Sequence, residues 1–419
     1  MPQFLQLLPP DEARALLLSN IAPAGLDSIA VATAHALGRV ITEDILAPHA
    51  LPEFPRSTVD GYALRARDTF GAGDSQPAYL RLAGEIHMGA AAQIDIREGM
   101  CVSIHTGGML PAGADAVVML ENTQSIAGRT GADGTGEIEV MKAIAAGENI
   151  IGVGEDVAAG QTVLGRGLRL RPAEIGGLMA LGLTTVRVAR PPRTGLISSG
   201  DEVVAPEQRP GPGQIRDVNA YTLSALVSQA GGEPIFYGIV PDDLDTLIAR
   251  SAQALAECDL VLISAGSSAS TRDMTVDAVN AIGRPGVLVH GINTRPGKPT
   301  ILGVCGGKAV IGLPGNPVSA LINAYLFAVP VIERLLGLAA DRPRPSLDAR
   351  LSVNVASQAG REDWVPVKLA QGPDGDWTAD PIFGKSNLIF SLASADGLLR
   401  IPPDATGAAA GSKVEIVLL

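Results

Sequence analysis

Aromatic side chains are scarce in this chain of 419 residues, and basic side chains are fewer than acidic ones. Phe, Trp and Tyr together make up 3% of the sequence, which leaves few rings for the stacking surfaces that bind single-stranded nucleic acid. The formal net charge of −12 also disfavours nucleic acid and anionic membranes as partners. A bound anion would therefore need a locally positive site within an acidic protein.

Cysteine is rare as well, and the three cysteines, Cys101, Cys258 and Cys305, form no C-x-x-C pair. This spacing argues against a disulfide framework and against structural zinc, and it fits a reducing compartment. No uninterrupted apolar run is long enough to span a membrane, and charged residues interrupt the apolar residues near the N-terminus. These features predict a soluble, cytoplasmic protein without a membrane partner.

The apolar pattern divides the chain into three predicted domains. Residues 1–190 combine two predicted helices, one around Leu16–Leu18 and one over Ser28–Ile41, with a glycine-rich region of short β-strands. Residues 191–338 alternate strands and helices, which predicts a doubly wound, mostly parallel α/β sheet with helices on both faces. Residues 339–419 alternate with period two and predict a small C-terminal β-barrel or sandwich. The predicted fold class is therefore multidomain α/β plus β.

Within the α/β domain, five apolar segments are predicted to be strands: Gly195–Ile197, Ile235–Val240, Leu260–Ser264, Val287–Ile292 and Ala309–Leu313. Two helices are predicted between these strands, one around Leu223–Ala230 that stops at Gly231 and one that opens at Asp242 and Asp243.

The segment Gly312–Ala320, which reads G-L-P-G-N-P-V-S-A, is predicted to turn from a strand into a helix. Asn316 is expected to cap that helix, and Pro317 is expected to occupy its first position. Backbone N–H groups and the positive end of the helix dipole would then point at one place, which suits a phosphate. We call Gly312–Pro317 the proline turn. A well-formed loop without a ligand explains the same residues equally well.

Acidic residues follow several predicted strands, at the sheet edge where ligands bind in parallel α/β folds. They are Asp201, Glu202, Asp242, Asp243 and Asp273. Carboxylates beside an anion site are explained if Mg²⁺ lies among them, because Mg²⁺ prefers oxygen ligands and bridges to phosphate. Each acid can also be a helix cap or a solvated turn residue. That alternative is strong for Asp242 and Asp243, which stand at a helix start.

Arg295 and Lys298 flank a Pro-Gly pair directly after a predicted strand, and we call Arg295–Lys298 the cation turn. The two side chains can hold a phosphate or an oxyanion, Arg by its fork and Lys as a point charge. A basic surface hairpin is the alternative. In the N-terminal half, Asp60, Thr106 and Asp156 each lie in a glycine-containing turn, and their spacing alone predicts only turns.

These short motifs, in this order, resemble those of the MoeA family, the molybdopterin molybdenumtransferases, whose eukaryotic relatives include the E domain of gephyrin. The resemblance covers nearly the whole chain. Gly312–Ala320 stands as the family's G-L-P-G-N-P-V-S-A. The other matches are Asp60 in D-G-Y-A, Thr106 in T-G, Asp156 in G-E-D, Ser198–Glu202 as S-[ST]-G-D-E, Gly213–Asn219 as G-Q-I-x-D-x-N, and Gly384–Ser386 with Ser391–Leu398 in the last signature.

The resemblance implies molybdenum cofactor biosynthesis, in which molybdate is inserted into adenylylated molybdopterin and AMP is released with the help of Mg²⁺. It implies catalytic roles for Asp60, Thr106, Asp156, Glu202 and Asp273. The metal ligands it implies are Glu202, Asp242 and Asp273. The substrate-binding residues it implies are Asp242, Arg295, Lys298, Pro314, Gly315, Asn316, Pro317 and Ser386.

The resemblance also implies an elongated homodimer, with an active cleft formed by the α/β domain of one subunit and the N-terminal β region of the other. A molybdopterin adenylyltransferase and apo-molybdoenzymes are the expected protein partners. The chain departs from the family at Ala265–Ser270, where G-G-V-S-V-G is usual, and at His105–Met109, where a T-G-A-P context is commoner. Arg295 and Val276 stand where the family often has Lys.

These departures touch the cleft and leave the preferred oxyanion open, and three alternatives to the leading function remain. The first is a paralogue of the same enzyme that prefers tungstate, and the second is a cofactor-binding scaffold without turnover. The third is the preceding adenylylation step. The N-terminal β region and the C-terminal β domain argue against the third alternative, because that enzyme is a single α/β domain.

Overall fold

The computed structural model describes residues 7–22, 28–130, 136–265, 269–339 and 345–418. The chain forms two compact units that interleave along the sequence. The first comprises Met1–Thr42, Arg166–Pro172 and Thr185–Leu419, and the second comprises Glu43–Gly165 and Ala173–Thr184. The predicted domain limits at 190 and 338 stay predictions.

Six strands form the sheet of the α/β domain: Arg193–Ser199, Glu233–Val240, Leu260–Ala265, Pro285–His290, Ile301–Cys305 and Lys308–Pro314. Their order across the sheet is 233–240, 193–199, 260–265, 308–314, 301–305, 285–290. The first four are parallel, whereas Ile301–Cys305 runs antiparallel to both of its neighbours. The mostly parallel sheet is confirmed. The strand Ile301–Cys305 was not predicted, although the adjacent Gly306 and Gly307, both with positive φ, are a hairpin signal.

Helices cover both faces of this sheet, as predicted. Pro10–Asn20, Asn219–Ala230 and the run Pro317–Leu335 pack on one face, where Leu260, Leu262 and Ile311 point, among others. Leu244–Glu257 and Ala269–Ile282 pack on the other, where Val261, Ile263 and Val310 point. Alternate residues of one strand thus serve two cores, because both faces of a parallel sheet are buried.

The run Pro317–Leu335 consists of the α-helix Pro317–Asn323, the π-helical turn Ala324–Ala328 and the α-helix Val329–Leu335. Its 19 residues are long and apolar enough to cross a membrane by length and composition. However, 72% of its apolar stretch of 18 residues is buried inside the molecule, which is usual for a core helix of a globular domain.

The C-terminal region is a barrel, in agreement with the prediction. Its strands are Ser346–Leu351, Val355–Ala356, Glu362–Gln371, Trp377–Pro381, Gly397–Ile401, Gly407–Ala408 and Lys413–Leu418, with the helix Ile389–Ala393. The barrel closes because Glu362–Gln371 pairs with both Trp377–Pro381 and Gly397–Ile401. The short strand Thr294–Arg295 pairs in parallel with Glu362 and Asp363, which joins the α/β domain to the barrel.

The second unit is rich in β structure, as predicted. Six of its strands form one sheet in the order Ala116–Met119, Gly61–Leu64, Met100–Ile104, Ala78–Ile86, Gly136–Val140, Thr123–Thr130. The shorter strands Ile45–Leu46 and Arg56–Ser57 pair with Thr162–Leu164 and Ile150–Ile151, and Pro172–Ala180 is helical.

One predicted element is wrong. Ser28–Ile41 is not a helix: Ser28–Ala32 is a strand, antiparallel to Thr185–Ala189, and Thr33–His35 is a 3₁₀ turn. The apolar pattern of this segment suggested a helix, whereas the β-branched Ile29 and Val31 pair well in a strand once a partner strand is available. That partner is distant in the sequence. The helix around Leu16–Leu18 is confirmed as Pro10–Asn20.

Candidate functional site

A cleft of about 840 Å³ lies between the α/β domain and the barrel, and we call it the basic cleft. Its charged lining residues are Arg295, Lys298, Arg361, Asp363 and Lys385. Four cations against one carboxylate give a local balance of +3 among the described lining residues, within a chain of net charge −12. The locally positive site that an acidic protein needs for an anion is therefore present.

The proline turn lines one wall of the basic cleft with Pro314 and Asn316. The predicted strand and helix are confirmed, with Asn316 at the N-cap and Pro317 at the first helical position. The Asn316 side chain makes no capping bond. Instead its Nδ2 donates to Ser386 Oγ at 3.0 Å, and the Val318 N–H donates to the Ser386 carbonyl oxygen at 3.0 Å. The structure thus brings Asn316 and Ser386 together from segments distant in the chain.

These bonds reduce the number of backbone donors at this helix start. Pro314 and Pro317 carry no N–H, and the N–H of Val318 is taken by Ser386. The expected anion site therefore depends less on backbone N–H groups and more on the side chains of Asn316, Ser386 and the four cations.

The cation turn forms a second part of the wall, and the side chains of Arg295 and Lys298 are exposed there. Its ends are fixed by backbone bonds: Thr294–Arg295 pairs with Glu362–Asp363, and the Ile292 N–H donates to Lys298 O at 2.9 Å. The turn is therefore bonded to the barrel and faces the basic cleft, and the anion-binding role of its two cations stays a prediction.

Arg361 and Asp363 were not predicted from the sequence. Asp363 is 1% exposed and accepts two bonds from Arg361, from Nε at 2.6 Å and from Nη2 at 2.9 Å. Arg295 Nη1 lies 3.9 Å from the same carboxylate. One buried carboxylate thus orients two guanidinium groups along the cleft. No motif indicated this pair, whereas Lys385 stands beside Ser386 in the last signature.

The acidic residues Asp201, Glu202 and Asp242 form a group at the ends of two neighbouring strands. The Asp242 N–H donates to Asp201 Oδ1 at 3.1 Å, and Ser199 Oγ lies 3.5 Å from Asp242 Oδ1. Burial, and then the charges of Asp201 and Glu202, raise the pKa of Asp242. Asp243 is different: it caps the helix Leu244–Glu257 by accepting the Thr246 N–H at 2.9 Å, so the capping alternative is correct for Asp243.

Other predicted acids and serines cannot be placed against this group. Asp273 belongs to the helix Ala269–Ile282, but its side chain lies outside the described part of the chain, as do Ser267 and Ser268. Within the residues that the structure describes, no three His, Cys, Asp or Glu side chains are arranged to hold a metal ion.

The buried side-chain amide of Asn219 holds the proline turn by a hydrogen bond to its backbone. Asn219 Nδ2 donates to Ser264 Oγ at 2.6 Å and to the Gly315 carbonyl oxygen at 2.9 Å. Asp217 Oδ1 accepts the Ala220 N–H at 3.1 Å. Asp217 and Asn219 belong to the G-Q-I-x-D-x-N motif, which carried no predicted site residue. The structure therefore gives that motif a role in fixing the sheet edge.

In the second unit, the structure brings Asp60 and Thr106 together. Asp60 Oδ1 accepts the Thr106 N–H at 2.7 Å and lies 3.1 Å from Thr106 Oγ1. The backbone bond from Thr106 is the main reason that the pKa of Asp60 is lowered, and His105, 3.6 Å away, contributes. Asp156 is exposed in another turn, where its N–H donates to Leu51 O.

The position after Asp60 requires glycine, because the adjacent strand leaves no room for a side chain at Gly61. A Cβ atom at Gly61 would overlap the carbonyl oxygen of Val118 on the adjacent strand. The two strands approach so closely that no side chain fits, and this keeps the Asp60 loop in place.

Three family models match the chain in succession. The MoeA N-terminal region (domains I and II) matches residues 8–182, the probable molybdopterin binding domain matches residues 195–334, and the MoeA C-terminal region (domain IV) matches residues 348–419.

Similar proteins match over nearly their full length. A putative molybdopterin biosynthesis protein of Methanocaldococcus jannaschii is 36% identical, over 92% of this chain and 90% of the relative. Molybdopterin molybdenumtransferase 2 of Mycobacterium tuberculosis is 33% identical, over 93% of this chain and 94% of the relative. The crystal structure of a molybdopterin biosynthesis MoeA protein from Pyrococcus horikoshii OT3 is 32% identical and superposes with a TM-score of 0.86, over 99% of this chain and 100% of that one.

Proposed function

This chain belongs to the MoeA family of molybdenum cofactor biosynthesis proteins, and we propose that it inserts molybdate into adenylylated molybdopterin and releases AMP. The observation that carries the proposal is the basic cleft, with four cations and one carboxylate in a protein of net charge −12. The phosphates of the substrate and molybdate itself are anions, which such a cleft attracts and holds.

Arg295 and Lys298 hold the phosphate groups, Arg by two parallel N–H donors and Lys as a point charge. Ser386 supports the same anion in a different way. Its Oγ already accepts a bond from Asn316 Nδ2, so its hydroxyl proton is free to donate to an anion oxygen in the cleft. Asn316 and the proline turn thus act partly through Ser386.

We place the proposed divalent cation at the acidic group. Asp201 and Glu202 disfavour the ionised form of Asp242, and a cation among the three would relieve that repulsion. Glu202 and Asp242 would hold Mg²⁺, and Asp273 is the third proposed ligand. The ion would supply charge neutralisation for phosphoryl oxygens.

We assign Asp60, Thr106 and Asp156 to positioning substrate or molybdate from the partner subunit of a homodimer. Asp60 is held as a carboxylate by the Thr106 N–H, so it acts as an acceptor. A molybdopterin adenylyltransferase would supply the substrate, and apo-molybdoenzymes would receive the product.

The direct test is AMP release from adenylylated molybdopterin by purified protein with Mg²⁺, comparing molybdate, tungstate and no oxyanion. We expect release that one oxyanion stimulates, and that oxyanion names the metal. Stimulation by tungstate alone would make the chain the tungstate-preferring paralogue. No release from folded protein with any oxyanion would refute turnover and favour the scaffold alternative. Consumption of ATP with free molybdopterin would indicate the adenylylation step.

The shared cleft has a separate test by subunit complementation. Asp60→Asn and Lys298→Ala proteins should each be inactive. After random subunit exchange, half of the dimers are mixed and one of the two clefts in each mixed dimer is intact, so the mixture should regain about a quarter of its sites. An activity that stays at zero after mixing and subunit exchange would contradict a shared cleft.

A further inference from the structure

The side chain of Asn323 lies behind the wall of the basic cleft and contacts the cation turn. It is fully buried, and its Nδ2 donates to the Pro296 carbonyl oxygen at 3.0 Å and to the Ser319 carbonyl oxygen at 2.8 Å. Because both partners are acceptors, only the orientation with the amide nitrogen toward them is favourable. One side chain therefore bonds the cation turn to the helix that follows the proline turn.

The cation turn is shaped to fit this amide. Gly297 has a φ of 105°, and a Cβ atom there would overlap Asn323 Nδ2 and lie 2.6 Å from Asn323 Cγ. On the other side, the Gly297 carbonyl oxygen accepts the hydroxyl of Thr300 at 2.7 Å. The peptide between the two cations is thus fixed by Asn323 through Pro296 and by Thr300 through Gly297.

The surroundings of Asn323 favour a specific role. The helix changes from α to π directly after it, at Ala324–Ala328, a distortion that often accompanies functional sites. Asn323 Oδ1 has no hydrogen-bond partner among the residues that the structure describes. A buried acceptor without a partner is costly, so the two bonds from Nδ2 offset a local penalty.

We propose that Asn323 is a positioning residue of the basic cleft. Its amide fixes Arg295 and Lys298 relative to Asn316 and Ser386, and so sets the spacing at which cations and polar donors meet one anion. Asn323 does not line the cleft and acts only through the turn. The activity part of this inference rests on the proposed function.

The test compares Asn323→Ala, Gly297→Ala and the double variant, with Val331→Ala as control. Val331 is fully buried in the neighbouring helix and lies outside the cleft lining, so its variant loses packing alone. We expect Asn323→Ala to lower kcat/KM for AMP release roughly tenfold or more, because small displacements of binding groups have effects of that size. Val331→Ala, once folded, should keep the wild-type value.

The double variant decides whether the two residues act as a pair. The three atoms nearest to a Cβ at position 297 all belong to Asn323, so truncating Asn323 removes the overlap while the positive φ stays unfavourable for alanine. The fold-decrease in kcat/KM of the double variant should therefore be clearly smaller than the product of the fold-decreases of the two single variants. A fold-decrease in the double variant that equals this product would overturn the proposal.

Hydrogen exchange gives a readout that does not need activity. The N–H groups of Ile292 and Thr300 close the cation turn through Lys298 O and Gly297 O. They should exchange faster in Asn323→Ala but not in Val331→Ala. If the wild type released no AMP, the proposed function would fail, and exchange would still decide this inference. Unchanged protection at both amides in Asn323→Ala would refute it.

Discussion

Replacing Asp363 with Asn should remove the carboxylate that orients the guanidinium groups of Arg295 and Arg361 in the basic cleft. Asp363 is buried and accepts both the Nε and the Nη2 of Arg361, with Arg295 3.9 Å away. An amide keeps the size of the side chain but removes its charge, and its NH₂ group would face a guanidinium donor. At least one of the two bonds from Arg361 is therefore lost.

The exposure of the two arginine side chains determines how much unfolding free energy this substitution costs. Removing one partner of a fully buried ion pair costs about 3–5 kcal/mol. The side chains of Arg361 and Arg295 are 26% and 66% exposed, so water can replace part of what they lose. We therefore expect the free energy of unfolding of the barrel to fall by about 3 kcal/mol, the lower end of that range.

Urea denaturation followed by tryptophan fluorescence measures this change, since Trp364 is adjacent to Asp363 and lines the same cleft. AMP release on the folded variant should fall as well, because Arg295 and Arg361 are no longer oriented. Asp380→Asn is the matched control: it is the same substitution at an exposed position of the barrel strand Trp377–Pro381. Equal losses of stability in the two variants would refute the reasoning.

Three further predictions concern other parts of the molecule. Because the pKa of Asp242 is raised above 3.8 in the folded protein, the free energy of unfolding should fall as the pH rises from 3.8 through that raised pKa. Thermal melts at several pH values should show that added Mg²⁺ reduces this fall. A fall that Mg²⁺ leaves unchanged would contradict the proposed ligand role. Thr106→Val should raise the pKa of Asp60, as seen by carbon NMR titration, since the hydroxyl bond is lost; an unchanged titration would contradict that contact. Gly61→Ala should destabilise the second unit by about 1–3 kcal/mol in thermal melts, because its methyl group overlaps Val118 O; a wild-type melt would contradict the close strand approach.

Features with local signals could be predicted from the sequence. The proline turn combines an apolar strand, an N-cap residue and a proline within nine residues, and it was found where expected. The helix Asn219–Ala230 ends at Gly231, whose φ of 98° is the usual left-handed helix stop. The barrel was recognised from period-two alternation, because each strand has one face in the barrel core.

Features that depend on distant partners could not be predicted. Ser28–Ala32 is a strand only because Thr185–Ala189 lies beside it. The same limit applies to Arg361 and Asp363, which reach the cleft through the pairing of Glu362–Asp363 with Thr294–Arg295. Read alone, Ser28–Ala32 suggested part of a helix, and the segment with Arg361 and Asp363 carried no motif. Their shared site exists only in the folded chain.

This pairing also gives the barrel a part in the site. The α/β domain contributes Arg295, Lys298 and Asn316 to the basic cleft, while the barrel region contributes Arg361, Lys385 and Ser386. Half of the cations therefore come from each side, and Ser386 meets Asn316 across the boundary. An α/β domain on its own would keep the proline turn and the acidic group but only two of the four cations. Under the proposed function, the anion would therefore depend on the barrel for half of the cations that hold it.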